Sequence, residues 1–238
     1  MNQPTPLPMS STTARIAGSS LLLMALLAFF AEFFVRSRLI VAENATLTLQ
    51  NLLASPQLFR GSIAADLLIV VLDIVVAVCL YLLLKPTHAG LSLLAAAFRL
   101  VYAAMYGVVA LNHVMVLLVL NGNFAPEQAQ SLMLLFLQGY KYGWVLALVF
   151  FGMHLLLVGH LVYRSRSMPR LLGGLLFLAG LAYLIDGFAH LLLPSYEQYK
   201  TFFLMLVALP GMVSELSLAL WLIFKGMRPA RPLVTQTA

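Results

Sequence analysis

The chain has few charged residues, a single cysteine and none of the short motifs that mark the common enzyme classes. Asp, Glu, Lys and Arg make up only 9% of its 238 residues, whereas a soluble domain carries roughly a quarter. Because Cys79 stands alone, it forms no internal disulfide and no thiolate metal site, and we interpret it as a small buried apolar residue. The sequence contains no phosphate-binding loop, G-x-G-x-x-G, H-E-x-x-H or nucleophile elbow, which argues against membership of those enzyme classes.

Long apolar runs dominate the sequence instead. The chain is 62% hydrophobic with a mean hydropathy of +0.98, and six runs have the length of roughly 20 residues that a bilayer core requires. They cover residues 16–35, 63–84, 90–111, 142–163, 171–193 and 202–224, and the third can continue to Leu120. The first run exceeds a signal-peptide core, so we expect it to be retained. The pattern predicts an all-α integral membrane bundle of six transmembrane helices.

These runs divide the chain into a polar N-terminal tail (1–15), a transmembrane domain (16–226) and a C-terminal tail (227–238). If the N-terminus is inside, eight Lys and Arg residues fall in cytoplasmic segments and five in outer segments. Since basic residues collect on the cytoplasmic side, we predict that both termini are cytoplasmic. Arg36 and Arg38 then lie in an outer segment and oppose the trend. We expect the outer segments 43–59 and 127–137 to form amphipathic interfacial helices.

The net charge of +6 does not indicate nucleic-acid binding. The basic residues lie at the ends of apolar runs, where they act as topology signals. No cluster of Lys and Arg alternates with aromatic residues, as a nucleic-acid groove would require. The partners that we expect are the lipid bilayer and, at a buried site, a small polar solute or a proton.

Six charged residues lie inside the apolar runs. They are Arg99 and the carboxyl residues Glu32, Asp66, Asp73, Asp186 and Glu215. Charges in hydrocarbon are costly, so they usually face the interior of a bundle and pair with one another. For Arg99 the partner is Asp73 or Glu215, either as a structural lock between helices or as part of an anion site. Five carboxyls against one arginine leave an acidic excess, which predicts that some are protonated, hydrated or bound to a cation.

Counting along the helices places four polar side chains at one depth. These four are Asp73, Arg99, His154 and Glu215, which lie nine to eleven residues from the predicted cytoplasmic helix ends. At about 1.5 Å per residue this is roughly 14–17 Å, near the bilayer midplane. Asp186 and Asp66 lie further toward the outer face. We therefore predict a polar column that opens outward, with Asp186 and the four midplane residues as the candidate ligand or proton site.

Helical spacing adds residues around this site. One stripe on the third span consists of Arg99, Tyr102, Tyr106 and His113, and its hydroxyl groups can extend a hydrogen-bond network. Asp186 and His190 are four residues apart, which predicts either a metal or proton site or a hydrogen-bonded pair. We place Asp66, Tyr102, Tyr106 and His190 around the candidate site. Asp66, Asp186 and His190 are also the ligands that we consider for an alternative zinc site.

Two patterns in the last two spans concern helix packing. Gly173, Gly180 and Gly187 are seven residues apart, and such a stripe of small residues predicts close contact with another helix. Pro210 and Gly211 predict a kink or an opening of the sixth span beside Glu215. Broken helices of this kind line the binding sites of some transporters.

The order of several short stretches resembles a known family. They are Ala31-Glu32-Phe33, Leu80-Tyr81, Ala97-Phe98-Arg99-Leu100, Gly152-Met153-His154, Tyr163-Arg164-Ser165, Met168-Pro169-Arg170-Leu171-Leu172-Gly173, Tyr183-Leu184-Ile185-Asp186, Leu193-Pro194, Glu215-Leu216, Trp221-Leu222 and Lys225-Gly226. Through them the chain resembles the bacterial multi-pass membrane proteins of domain-of-unknown-function family 4386, over nearly its whole length after the N-terminal tail. The resemblance implies a protein of the bacterial cytoplasmic (inner) membrane and carries no activity with it.

Three functional hypotheses follow from the buried charges. The leading one is a non-enzymatic membrane protein that binds or moves a small polar solute, ion or proton through the polar cluster, without a cofactor. The first alternative is an intramembrane metal-dependent hydrolase that acts on a lipid, in which a Zn²⁺-bound water is held by Asp66, Asp186, His190 and, in a variant of this idea, His154. The second alternative is a structural or accessory membrane subunit.

Overall fold

The computed structural model describes residues 9–41, 44–165 and 167–226. Eight α-helices cover most of them: α1 (Met9–Phe29), α2 (Ser37–Leu39), α3 (Ala45–Ala54), α4 (Pro56–Leu84), α5 (Ala89–Asn121), α6 (Pro126–Arg164), α7 (Arg170–Leu192) and α8 (Tyr196–Phe224). A π-helical segment, Phe30–Arg36, joins α1 to α2. The all-α prediction is confirmed. The predicted C-terminal tail and most of the N-terminal tail lie outside the described residues.

Six of these helical stretches are long and apolar enough to cross a bilayer, which confirms the six predicted spans and a multi-pass membrane protein. The first stretch combines α1, the π-helical segment and α2. The spans end where predicted near Lys85 and Ser165, but at the opposite end the helices continue past the apolar runs. The segment 127–137 is therefore not a separate interfacial helix, because it forms the first turns of α6. Within the segment 43–59, α3 does form a helix.

The six long helices form a closed ring in chain order. Each packs against its sequence neighbours, and α1 packs against α8 to close the ring. One end of the bundle holds the turns around Lys85 and Ser165, and we call it the Lys85 end. The other holds α3 and the turns before α6 and α8, and we call it the α3 end. Which end is cytoplasmic stays a prediction.

Glycines bring α6 and α7 into backbone contact. A Cβ atom on Gly173 would lie 2.5 Å from the backbone nitrogen of Tyr163, and one on Gly180 would lie 2.7 Å from that of Leu156. On Gly187 it would meet the side chain of Val149 at 2.6 Å. Real Cβ atoms do not approach other atoms so closely, so only glycine permits this spacing. The predicted packing stripe on α7 is confirmed.

The interior of the ring is apolar apart from a few polar clusters. Buried residues of α1, α4, α5, α6, α7 and α8 form one continuous hydrophobic core, and a smaller one at the α3 end surrounds Leu52 and Met133. The outer surface is also apolar: Leu192 and Phe224, for example, are 76% and 78% exposed. Such an exterior fits hydrocarbon better than water. The polar residues of the interior are thus the exceptions that require an explanation.

Candidate functional site

Three buried polar side chains from three consecutive helices meet in the middle of the bundle. Asp73 of α4, Arg99 of α5 and His154 of α6 are each at most 2% exposed. The Nη2 atom of Arg99 lies 2.6 Å from Oδ1 of Asp73, so Asp73 is the ion-pair partner that the sequence left undecided. The guanidinium also lies over the ring of Phe151, 5.4 Å from its centroid. The fourth predicted midplane residue, Glu215 of α8, is within electrostatic range of Arg99 and Asp73. We call Asp73, Arg99, His154 and Glu215 the inner cluster.

The hydrogen bonds of His154 assign its protonation. Its Nε2 atom lies 3.1 Å from Nη1 of Arg99, and its Nδ1 atom lies 2.8 Å from the carbonyl oxygen of Ala95. Arginine can only donate and a carbonyl can only accept. Nδ1 therefore carries the hydrogen and Nε2 accepts, which is the neutral imidazole. His154 orients Arg99 and adds no charge to the inner cluster.

The inner cluster has unused hydrogen-bonding capacity. In the described part of the chain, seven buried side-chain nitrogen and oxygen atoms lack a hydrogen-bond partner, and four of them belong to Asp73 and Arg99. Two of these four, Oδ1 of Asp73 and Nη2 of Arg99, are the atoms of the ion pair, so Oδ2 of Asp73 and Nε of Arg99 are the atoms left without a polar partner. Buried polar groups left unbonded cost free energy. The concentration of such atoms at one point marks it as a candidate site for a small polar ligand.

Two tyrosines lie near the inner cluster. Tyr102 of α5 is within electrostatic range of Asp73, Arg99 and Glu215. Tyr183 of α7 is within range of Glu215 and of Asp186. A Cβ atom on Gly211 would lie 2.9 Å from the Tyr183 hydroxyl, so this glycine makes room for the hydroxyl against α8. Of the two predicted effects of Pro210 on the sixth span, the opening is wrong, because α8 continues through Pro210 without a break, and the kink stays a prediction.

A second cluster lies nearer the α3 end, and sequence reasoning found only part of it. Nη1 of Arg36 contacts both carboxylate oxygens of Asp66, at 3.0 and 3.1 Å, and its Nε donates to Glu32 at 2.8 Å. The Tyr106 hydroxyl donates to Asp66 at 2.8 Å, and Nδ1 of His113 lies 3.5 Å from the same carboxylate. We call these five residues the outer cluster. Asp66 therefore belongs to a separate group and does not extend the inner cluster.

Arg36 is the functional-site candidate that the sequence reading missed. Its position beside an apolar run predicts a topology signal in an outer segment, but the side chain is buried, with 9% of the residue's surface exposed. The π-helical segment Phe30–Arg36 carries Glu32 in its first turn and Arg36 at its end, and π-helical turns occur frequently at functional sites. The signal available in the sequence was the spacing of four residues between Glu32 and Arg36, which allows an ion pair on one helical face.

Asp186 and His190 do not bond to each other. Asp186 accepts a 2.7 Å hydrogen bond from the Tyr196 hydroxyl, across the turn that joins α7 to α8. The His190 ring packs against the rings of Tyr196 and Tyr142, with centroids 4.2 and 5.3 Å apart. Of the five residues predicted as the candidate site, Asp186 is thus bonded away from the other four, and Tyr183 lies within electrostatic range of both Asp186 and Glu215.

The residues considered as zinc ligands do not converge. Asp66 is bonded to Arg36 and Tyr106, whereas Asp186 is bonded to Tyr196. Among residues 9–41, 44–165 and 167–226, no group of three or more His, Cys, Asp or Glu side chains is arranged to hold a metal ion. This geometry gives the hydrolase alternative no support.

Comparison with known proteins places the chain in a family. The family model described as "Domain of unknown function (DUF4386)" matches residues 16–226. An uncharacterized protein of the archaeon Archaeoglobus fulgidus is 34% identical over 168 residues, which cover 70% of this chain and 85% of that protein. No solved structure matches. The chain belongs to the DUF4386 family of multi-pass membrane proteins, whose function is unknown.

Proposed function

We propose that this membrane protein binds and passes a small cation, in the first instance a proton, at the inner cluster. One observation carries the proposal: two carboxyl groups, Asp73 and Glu215, lie within electrostatic range of a single arginine in the hydrophobic bundle, and only Asp73 pairs with it directly. Because His154 is held neutral by its two hydrogen bonds, it does not balance the second carboxylate. With both carboxyls ionised, the inner cluster carries one net negative charge.

A net charge in a membrane interior is costly. One proton on a carboxyl, or one monovalent cation between the carboxyls, removes it. The inner cluster therefore has two states that differ by one bound cation, as an ion-coupled carrier requires. An anionic solute at Arg99 fits less well, because the charge of Arg99 is already neutralised by Asp73 and the excess charge is negative.

The hydroxyl groups of α5 support a route from the inner cluster toward the α3 end. Tyr102 is within range of the inner carboxyls, and Tyr106 donates to Asp66 of the outer cluster. Their ring centroids are 6.1 Å apart. A tyrosine hydroxyl can both donate and accept a hydrogen bond, so these two side chains provide groups that can carry a proton along α5 toward the α3 end.

The test is proton flux in proteoliposomes that contain a pH-sensitive dye, driven by a potassium diffusion potential. We expect the wild-type protein to conduct protons and Glu215→Gln to lose most of the flux while remaining folded. Glu197→Gln is the matched control, because Glu197 lies at the start of the same helix with 65% of its side chain exposed. Flux that is absent from the wild type, or equal in both variants, would contradict the proposal.

The structural-subunit alternative is favoured by one contact, the ion pair between Arg99 and Asp73, which ties α4 to α5. Under this alternative the pair serves folding only, and Glu215→Gln has no effect on any transport assay. The two hypotheses agree that Arg99→Ala lowers accumulation of the protein. They differ on Glu215, which forms no ion pair within 4 Å in the described part of the chain.

The cellular location remains a prediction. One relative of the chain comes from Archaeoglobus fulgidus, so similarity alone does not assign a bacterial inner membrane. The proposal requires only an energised membrane, across which a bound cation can move down its gradient.

A further inference from the structure

A groove on the outer surface of the bundle lies between α6 and α7, close to the Lys85 end. It has a volume of about 280 Å³ and is lined by Gly159, His160, Tyr163, Gly173, Gly174 and Phe177. Its floor forms where Gly159 and Gly173 bring the two backbones together. Gly174 is different, since a Cβ atom there would have no neighbour within 4 Å. The groove is thus open along Gly174 and walled by the aromatic side chains.

Basic side chains stand at the mouth of this groove. Arg170, the first residue of α7, lies four residues before Gly174 and seven before Phe177, so it shares their helical face. Its guanidinium lies 5.9 Å from the centroid of the Tyr163 ring. Arg164 ends α6 four residues after His160, and both arginines are exposed. At about 1.5 Å per residue, the lining residues of α7 lie within roughly 10 Å of Arg170.

The surroundings of the groove lack negative charge. The described helix ends at the Lys85 end hold Lys85, Arg164, Arg170 and Lys225. Along the helices that reach this end, the nearest described carboxyls are Glu215, nine residues before Phe224, and Asp73, eleven residues before Leu84. An anionic group at the mouth of the groove therefore meets cations only.

We propose that this groove binds one anionic phospholipid, with an acyl chain along Gly174 and Phe177 and the phosphate on Arg170. The arginines lie at the helix ends, where a lipid headgroup lies, and the apolar groove runs from there into the membrane span, where an acyl chain lies. Basic residues near a membrane surface each contribute about 1 kcal/mol to the attraction of anionic lipid. The groove is separate from the inner cluster, so this inference does not depend on the proposed function.

The experiment is native mass spectrometry of the detergent-purified protein with phosphatidylglycerol or phosphatidylcholine of identical acyl chains. We expect the wild type to retain phosphatidylglycerol preferentially, and Arg170→Ala to lower that retention about fivefold. Gly174→Leu should fill the groove and lower it as well. Arg60→Ala removes an exposed arginine near the α3 end, and Gly107→Leu adds a side chain where a Cβ atom meets only Val70 at 3.9 Å. These two are the matched controls.

Size-exclusion chromatography confirms that each variant is folded before the comparison. Equal retention of the two lipids by the wild type would overturn the proposal. Equal retention of phosphatidylglycerol by Arg170→Ala and Arg60→Ala would also overturn it. Loss in Arg170→Ala but not in Gly174→Leu would mean that only the headgroup is bound at the surface, and would overturn the groove as the site. Because Arg170 is exposed at a helix end, its replacement tests the proposal even if Gly174→Leu does not fold.

Discussion

The inner and outer clusters contain the same kinds of side chain in different states of bonding. Each has one arginine, two carboxyl groups and one histidine, and α4 contributes an aspartate to both, Asp73 to the inner and Asp66 to the outer. In the outer cluster, Asp66 receives hydrogen bonds from Arg36 and Tyr106, and Glu32 bonds the remaining side of Arg36. In the inner cluster, Asp73 has an ion pair and no aligned hydrogen bond.

The two clusters also differ in the exposure of their glutamate, Glu32 in the outer cluster and Glu215 in the inner one. The Glu32 side chain is 60% exposed and carries its charge at the edge of the bundle. Glu215 is partly buried on α8 and lies within range of a fully buried aspartate. Among the buried side-chain atoms of the outer cluster only Nδ1 of His113 lacks a hydrogen-bond partner, whereas Asp73 and Arg99 of the inner cluster have four such atoms and Glu215 adds a charge. We therefore interpret the outer cluster as structural. Residue types alone do not distinguish these roles, but the bonding does.

The largest expected effect is that of Arg99→Ala. It leaves Asp73 buried without a cation, a change that costs about 3–5 kcal/mol. We expect the variant to disappear from the membrane fraction, as measured by fluorescence-detected size-exclusion chromatography. The double variant Arg99→Ala with Asp73→Asn should recover part of the loss, because the amide carries no charge. Wild-type accumulation of the single variant would contradict the buried ion pair.

A smaller effect is expected from Asp66→Asn in the outer cluster. The amide still accepts one hydrogen bond but loses the charge that holds Arg36, at a cost of about 1–3 kcal/mol. Thermal unfolding in detergent should show a lower Tm. The proton flux per folded molecule should stay close to that of the wild type, because the amide oxygen can still accept from Tyr106 and the proposed route needs the tyrosine hydroxyls, not the charge of Asp66. If flux disappears although the protein is folded, the contrast between a structural and a functional cluster is wrong.

The smallest effect is expected from Glu32→Gln. Exposed ion pairs contribute at most about 1 kcal/mol, and the Arg36 contacts with Asp66 remain. Both the Tm and the flux should change little. The different exposure of Glu32 and Glu215 argues that their roles differ. A loss of flux in Glu32→Gln as large as that in Glu215→Gln would show instead that the two glutamates are equivalent.

Much of the architecture could be predicted from sequence because it depends on hydropathy and spacing. The six spans, the all-α class and the contact stripe through Gly173 and Gly180 follow from run length and from small residues at regular intervals. The common depth of Asp73, Arg99 and His154 follows from counting along regular helices. Hydropathy does not indicate where a helix extends beyond its apolar run, so the prediction of a separate helix over 127–137, the first turns of α6, is wrong.

What the sequence could not indicate depends on irregular backbone or on contacts across turns. The outer cluster needs the π-helical segment that positions Arg36, and no propensity rule identifies such a segment. The partner of Asp186 is Tyr196, which lies beyond the end of the same helix and becomes a neighbour only because the chain reverses there. The protonation state of His154 follows from the positions of its two hydrogen-bond partners, and sequence spacing alone does not provide these positions.

Under the proposed function, Asp73 and Glu215 together hold one exchangeable proton or cation inside the bundle. Infrared difference spectroscopy across a pH step, on protein in lipid, detects the carbonyl stretch of a protonated carboxylic acid. In sodium-free and potassium-free buffer we expect such a band in the wild type, its loss in Glu215→Gln or Asp73→Asn, and its persistence in Glu197→Gln. If the wild type shows no titrating carboxyl band, or if both inner-cluster variants leave the band unchanged, these two residues do not hold the proton.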